Sequence, residues 1–84
     1  MPQMTAALVR EQGVTFAVVI VKNHVLNSPA SADQMIRAAS MALGCPLVVL
    51  MGETNQRLRG NRRDVVNFVS KIHPSRLPWK KWNI

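Results

Sequence analysis

Val14-Thr-Phe-Ala-Val-Val-Ile-Val21 and Pro46-Leu-Val-Val-Leu-Met51, with a helix-patterned stretch between them, decide the fold class of this chain. The first run is dense in β-branched residues and has no polar alternation. That is the pattern of a strand covered on both faces. The second is equally apolar, and Pro46 is tolerated at its first position, where no ladder donor is required. Between them Ser31 and Gln34 form a capping box, in which each side chain satisfies a free amide of the first turn. Asp33 complements the positive end of the helix dipole. Met35, Ile36, Ala39, Ala42 and Leu43 recur at helical spacing, and Gly44 suits the left-handed position after the last turn. The spacing predicts a helix over about residues 32–43. Strand, helix and strand make a crossover unit joining parallel strands.

Outward from this unit, residues 6–11 and Gln12-Gly13 precede the first strand. Gly13 can supply the positive φ of a tight turn, which makes residues 6–11 and 14–21 a hairpin. The rival is a short helix capped by Thr5 and ended by Gly13. Eight residues make a marginal helix, so the hairpin is favoured. Residues 22–30 read as a loop, broken by Asn23, Asn27, Ser28 and Pro29. Residues 52–60 read as a polar loop. Asn61 then caps a helix reaching about residue 72, with Asp64 at its third position and Lys71 near its end. Val65, Val69 and Ile72 share one face, widened by Val66 and Phe68, and Pro74 stops the helix. The expected architecture is a small α/β (or α+β) domain over residues 1–73. Its order is β-β-α-β-α, with a three-stranded mixed sheet and two helices, which can cover one face of so small a sheet. Residues 74–84, with two prolines, two tryptophans and two lysines, form an extended tail that packs on the domain or projects from it.

Composition narrows the function classes. Eighty-four residues make one domain, and a 48% hydrophobic content excludes a disordered tail. One cysteine excludes a disulfide framework, and two lone histidines with four scattered acids form no metal-ligand set. The apolar run 16–21 is far below the ~20 residues that span a bilayer. Residues 1–12 show no signal-peptide pattern. The expectation is a soluble cytoplasmic protein without a membrane contact or a cofactor. A core of this size contributes only about 3–5 kcal/mol, which favours a homo-oligomer.

The net charge is +7 from 11 Lys+Arg and 4 Asp+Glu, and it is unevenly placed. Up to residue 56, Arg10, Lys22 and Arg37 balance Glu11, Asp33 and Glu53. From residue 57 onward eight cations face Asp64 alone, so the whole excess lies in the last third. Two stretches carry it. In Gly52-Glu-Thr-Asn-Gln-Arg-Leu-Arg-Gly60 and the following Asn61-Arg-Arg-Asp64, four guanidiniums (Arg57, Arg59, Arg62 and Arg63) stand where a strand hands over to a helix. Ligands of open α/β sheets sit at such strand ends, helix amides favour anions, and guanidinium grips phosphate bidentately. Neither a Walker nor a dinucleotide-binding glycine pattern is present. In Arg76-Leu-Pro-Trp-Lys-Lys-Trp82, Arg76, Lys80, Lys81 and Trp82 join cations to an indole, the recipe for single-strand binding. The competing reading packs Trp79 and Trp82 onto the small core and pairs Arg62 or Arg63 with Asp64.

Catalysis has little material: His24 and Glu53, each following a strand, are the only acid–base candidates. Cys45, between Gly44 and Pro46, reads as buried and inert. The residues therefore point first to a basic binding module for a polyanion, with nucleic acid as the expected partner. The alternative is a homo-oligomeric assembly component whose arginines meet an acidic protein. The third is a phosphate-ligand or enzymatic domain at the strand ends.

Overall fold

The computed structural model describes residues 3–11, 13–53 and 57–83, and it is an α/β fold built on one mixed sheet. Strand β1 (Gln3–Glu11) turns through Gly13, at φ 79°, into β2 (Val14–Val21). The two pair antiparallel from Ala6↔Val19 to Glu11↔Val14, so the hairpin forms and the short N-terminal helix does not. A five-residue helix α1 (Asn23–Asn27) and a long helix α2 (Pro29–Leu43) carry the chain over to β3 (Val48–Gly52). β3 lies parallel to β2, in register from Ala17↔Val48 to Val21↔Gly52, as the crossover pattern requires.

The remainder departs from the expected three strands. After residues 54–56, which belong to the expected polar loop and lie outside the described residues, β4 (Leu58–Gly60) returns antiparallel along β3. Helix α3 (Arg63–Ser70) and a 3-10 turn (Pro74–Arg76) follow, and then β5 (Trp79–Asn83) pairs antiparallel with β1. The sheet thus has five strands in the order β4-β3-β2-β1-β5. The extended tail supplies an edge strand. Three residues are too few for β4 to show a period, and the Trp-Lys-Lys-Trp of β5 does not alternate apolar with polar.

The helices lie on opposite faces of the sheet, in keeping with a central strand read as covered on both faces. On one face Met4, Ala6, Ala17, Val19, Val48 and Leu50 pack under α1 and α2 through Leu26, Ala32, Ile36 and Ala39. On the other, Ala7, Phe16, Val18, Val49 and Met51 pack under α3 through Val65 and Val69. Phe68 of α3 meets Phe16 edge-on, with centroids 5.8 Å apart and planes at 80°. This explains why β2 and β3 show no polar alternation: both of their faces are covered. Each tryptophan of β5 closes one face. Trp79 opposes Ala7 on the α3 side, and Trp82 opposes Met4 on the α2 side.

Two helix starts shift by a short stretch. α2 begins a turn earlier than its capping box implied. Ser28 is its cap, accepting from the Ser31 amide at 3.4 Å, and Pro29 fills the first helical position. Its end is as read, with Gly44 left-handed at φ 64°. α3 starts at Arg63 with Arg62 at the cap position, so Asp64 falls second, and Asn61 is taken up elsewhere. No helix among the described residues is long and apolar enough to cross a membrane.

Candidate functional site

Asn61 is the hinge on which the candidate site is built. Its Nδ2 donates to the Pro46 carbonyl at 2.6 Å, and its Oδ1 accepts from the Val48 amide at 3.2 Å. Its own amide reaches the Val48 carbonyl at 3.4 Å. The residue read as a helix cap is instead a clip fastening the end of β4 to the beginning of β3. The consequence for the site is direct. Because β4 runs back along β3, α3 starts beside the N-terminal end of β3. The expected placement at the C-terminal strand ends is therefore corrected, and the arginines line the outer edge of the sheet.

That edge is a cleft of about 600 Å³. Arg59 enters from β4 on the α2 side, opposite Leu50, and Arg37 comes from α2. Arg62 and Arg63 enter from the start of α3, and Ile36, Leu58 and Val66 form the apolar part of the wall. Four guanidiniums share the cleft with one carboxylate, Asp33. Gly60 allows β4 and α3 to approach this closely. A Cβ there would lie 2.7 Å from Val66 Cγ2 and 3.1 Å from both the Val48 carbonyl oxygen and Val49 Cγ2.

The charges are only partly satisfied. Arg62 Nε donates to Asp64 Oδ1 at 2.8 Å, the pairing weighed from the sequence, and Arg59 lies 3.9 Å from Asp33. All four of these side chains are substantially exposed, so each pair contributes little, about 0–1 kcal/mol. Among the described residues, Arg37 and Arg63 have no carboxylate partner. In the first turn of α3 the Val65 amide donates to Asp64 Oδ1 and the Val66 amide to the Arg62 carbonyl. The Arg63 and Asp64 amides have no acceptor among the described residues. The guanidiniums of Arg37 and Arg63, without a carboxylate partner among the described residues, thus line one concave surface, an arrangement suited to oxyanions and above all to phosphate.

The sequence-derived candidates separate into three groups. Arg59, Arg62 and Arg63 come together in the cleft. Arg57 does not join them; its guanidinium donates to Asn27 Oδ1 at 2.8 Å, tying β4 to the end of α1. Arg76, Lys80, Lys81 and Trp82 lie at the opposite edge of the sheet, beyond β1. There Trp82 is half-buried, its Nε1–H donates to the Ala6 carbonyl at 3.4 Å, and Lys80 Nζ sits 5.2 Å from the indole centroid. A half-buried ring held by these contacts presents reduced surface for stacking a base. Arg37 was missed because it belongs to the charge-balanced part of the chain. Its one signal was its position four residues after Asp33, on the same exposed helix face.

His24 is exposed on α1 and Glu53 is exposed just beyond β3, with no ion pair between them among the described residues. Cys45 is buried, its thiol donating to the Leu47 and Thr15 carbonyls at 3.3 and 3.5 Å. Comparison with protein-family models, curated proteins and solved structures returned no match to this chain.

Proposed function

We propose that this chain is a polyanion-binding module that engages the phosphates of nucleic acid in the arginine cleft at the β4 edge. The observation that carries the reading is the convergence of Arg37, Arg59, Arg62 and Arg63 from three elements on one concave surface with a single carboxylate. Guanidinium is the side chain best matched to a phosphate oxygen pair. The packed tryptophans direct the reading toward the phosphate backbone and away from bases, so binding is expected to tolerate sequence and to include duplexes.

Salt dependence is the direct test. Arg62 is partly held by Asp64, so about three phosphates would be neutralised, giving a log–log slope of affinity against salt of about −3 on duplex DNA. Fluorescence anisotropy of a labelled duplex across a salt series measures it. An affinity that does not change with salt, or no binding in low salt, overturns the reading.

A homo-oligomeric assembly role is the second reading, favoured by one observation: the sheet ends in two strands with no further strand partner among the described residues. Light scattering tests it. Removing residues 74–84 is a poor probe, because it strips β5 from β1 and disturbs the fold along with the edge. Substitutions on the edge strands of the full chain, read as a change in mass, are the appropriate test.

A further inference from the structure

The basic residues at the β5 edge are left over by the cleft, and their position determines what they can do. β4 and β5 are four strand steps apart, about 19 Å at the usual spacing. Sheets twist by roughly 20–25° per step, so the two edge strands cross at about 80–100°. The helices stand on the two faces between them. A single stiff duplex cannot follow both edges. Each edge needs its own segment.

The β5 edge is equipped to hold one. Arg76 is exposed at the turn leading into it, and Lys80 and Lys81 are exposed on opposite faces of the strand. Lys80 rests against the Trp82 indole, its Nζ 5.2 Å from the ring centroid, which limits its freedom. No carboxylate lies within ion-pair distance of these three cations among the described residues. β5 pairs with residues 3–7 of β1, whereas Glu11 sits four residues further along, about 13 Å away at strand rise. The same two lysines discourage pairing with another strand, which keeps the edge open to a ligand.

We infer that the chain bridges two nucleic-acid segments, one held by the arginine cleft at β4 and a second by Arg76, Lys80 and Lys81 at β5. This rests on the polyanion reading of the cleft. The two sites are independent, face opposite directions and hold their segments crosswise. Bridging needs only one copy of the chain, since both sites belong to it.

The test uses the full-length protein and a 12-base-pair DNA duplex, a rigid probe about 40 Å long that cannot wrap from edge to edge. One duplex is immobilised and a fluorescent copy is offered in solution, in low salt. The wild-type chain is expected to capture the labelled copy and to bind two duplexes per chain in sedimentation titrations. R59E/R62E and K80E/K81E are each expected to lose capture and to bind one duplex. K80Q/K81Q serves as a milder second variant, and circular dichroism checks that β5 remains paired. Capture that survives K80E/K81E in a folded protein overturns the proposal, because a dimer using two clefts would behave that way. Binding of one duplex per wild-type chain with no capture overturns the bridge and leaves the cleft reading standing. No duplex binding by the wild type overturns both.

Discussion

The two edges of the sheet carry similar charge in different physical form. At β4 the cations come from three elements, converge on a cleft and are guanidiniums. At β5, Lys80 and Lys81 come from one strand and point to opposite faces beside a packed tryptophan. The first arrangement fixes several donors around one position, so a ligand gains from all of them together. The second presents point charges along a line, which attract a polyanion without defining its geometry. Formal charge is thus a poor guide to a site, and convergence is a better one.

The largest expected effect separates the edges on this basis. R59E/R62E should lower affinity for a duplex roughly 100-fold, since the Arg59 contact, worth about 1.5–3 kcal/mol, is lost and two negative charges are set against the phosphates. K80E/K81E should lower the tighter binding step by less than about 10-fold, the scale of one phosphate contact. Anisotropy titrations of both variants at one salt concentration make the comparison. Equal losses would show that bulk charge, and not the cleft, governs binding. Thermal melts should stay within a few degrees of the wild type for R59E/R62E, because its ion pairs are exposed.

Stability should contrast the edges in the opposite sense. Trp82 anchors β5 by covering Met4 and Ala6 and by its bond to the Ala6 carbonyl, with no counterpart of that size on β4. Trp82→Ala should cost about 2–4 kcal/mol, somewhat below the range for fully buried tryptophan. At about 4–8 °C per kcal/mol in a domain this small, the melting temperature should fall by at least ~8 °C. A shift of only a degree or two would mean that β5 is loosely attached and its tryptophans are available to a ligand.

How legible all this was from the sequence depends on where each residue's partner lies. The hairpin, the parallel crossover and the end of α2 were readable because their signals are local: Gly13 and Gly44 at positive φ, and apolar runs with no polar interruption. The edge strands were not. β4 is fastened by the adjacent Asn61 side chain to backbone groups thirteen and fifteen residues away, on Val48 and Pro46, and β5 is held by pairing with the first strand of the chain. Of the candidate site, Arg59, Arg62 and Arg63 were legible as a cluster along the chain. Arg37 was not, because it reaches the cleft by tertiary packing of α2, and charge density along the chain does not show that Arg57 stands apart and bonds to Asn27. Once β4 was missed, the end of the sheet at which α3 begins was inverted.

Asn61 gives the smallest and most discriminating effect. On the β4 edge it does with two hydrogen bonds what Trp82 does on β5 with buried area. It is exposed, so water can replace part of what an alanine would remove, and Asn61→Ala should cost only about 1 kcal/mol. Urea unfolding should show this as a lower midpoint at unchanged slope, the mark of lost stability without altered compactness. The clip also sets where Arg59, Arg62 and Arg63 stand relative to one another, since it fixes the end of β4 and the approach to α3. Releasing it should weaken duplex binding several-fold although no cation is removed, by an amount of order 1 kcal/mol. Asn61→Asp separates the two bonds, keeping the acceptor for the Val48 amide while setting a carboxylate against the Pro46 carbonyl and inside the basic cleft. It should lose more affinity than Asn61→Ala and a similar amount of stability. If the alanine variant binds as tightly as the wild type, the cleft acts as a pool of charge and its geometry is incidental, which would erase the distinction between the two edges.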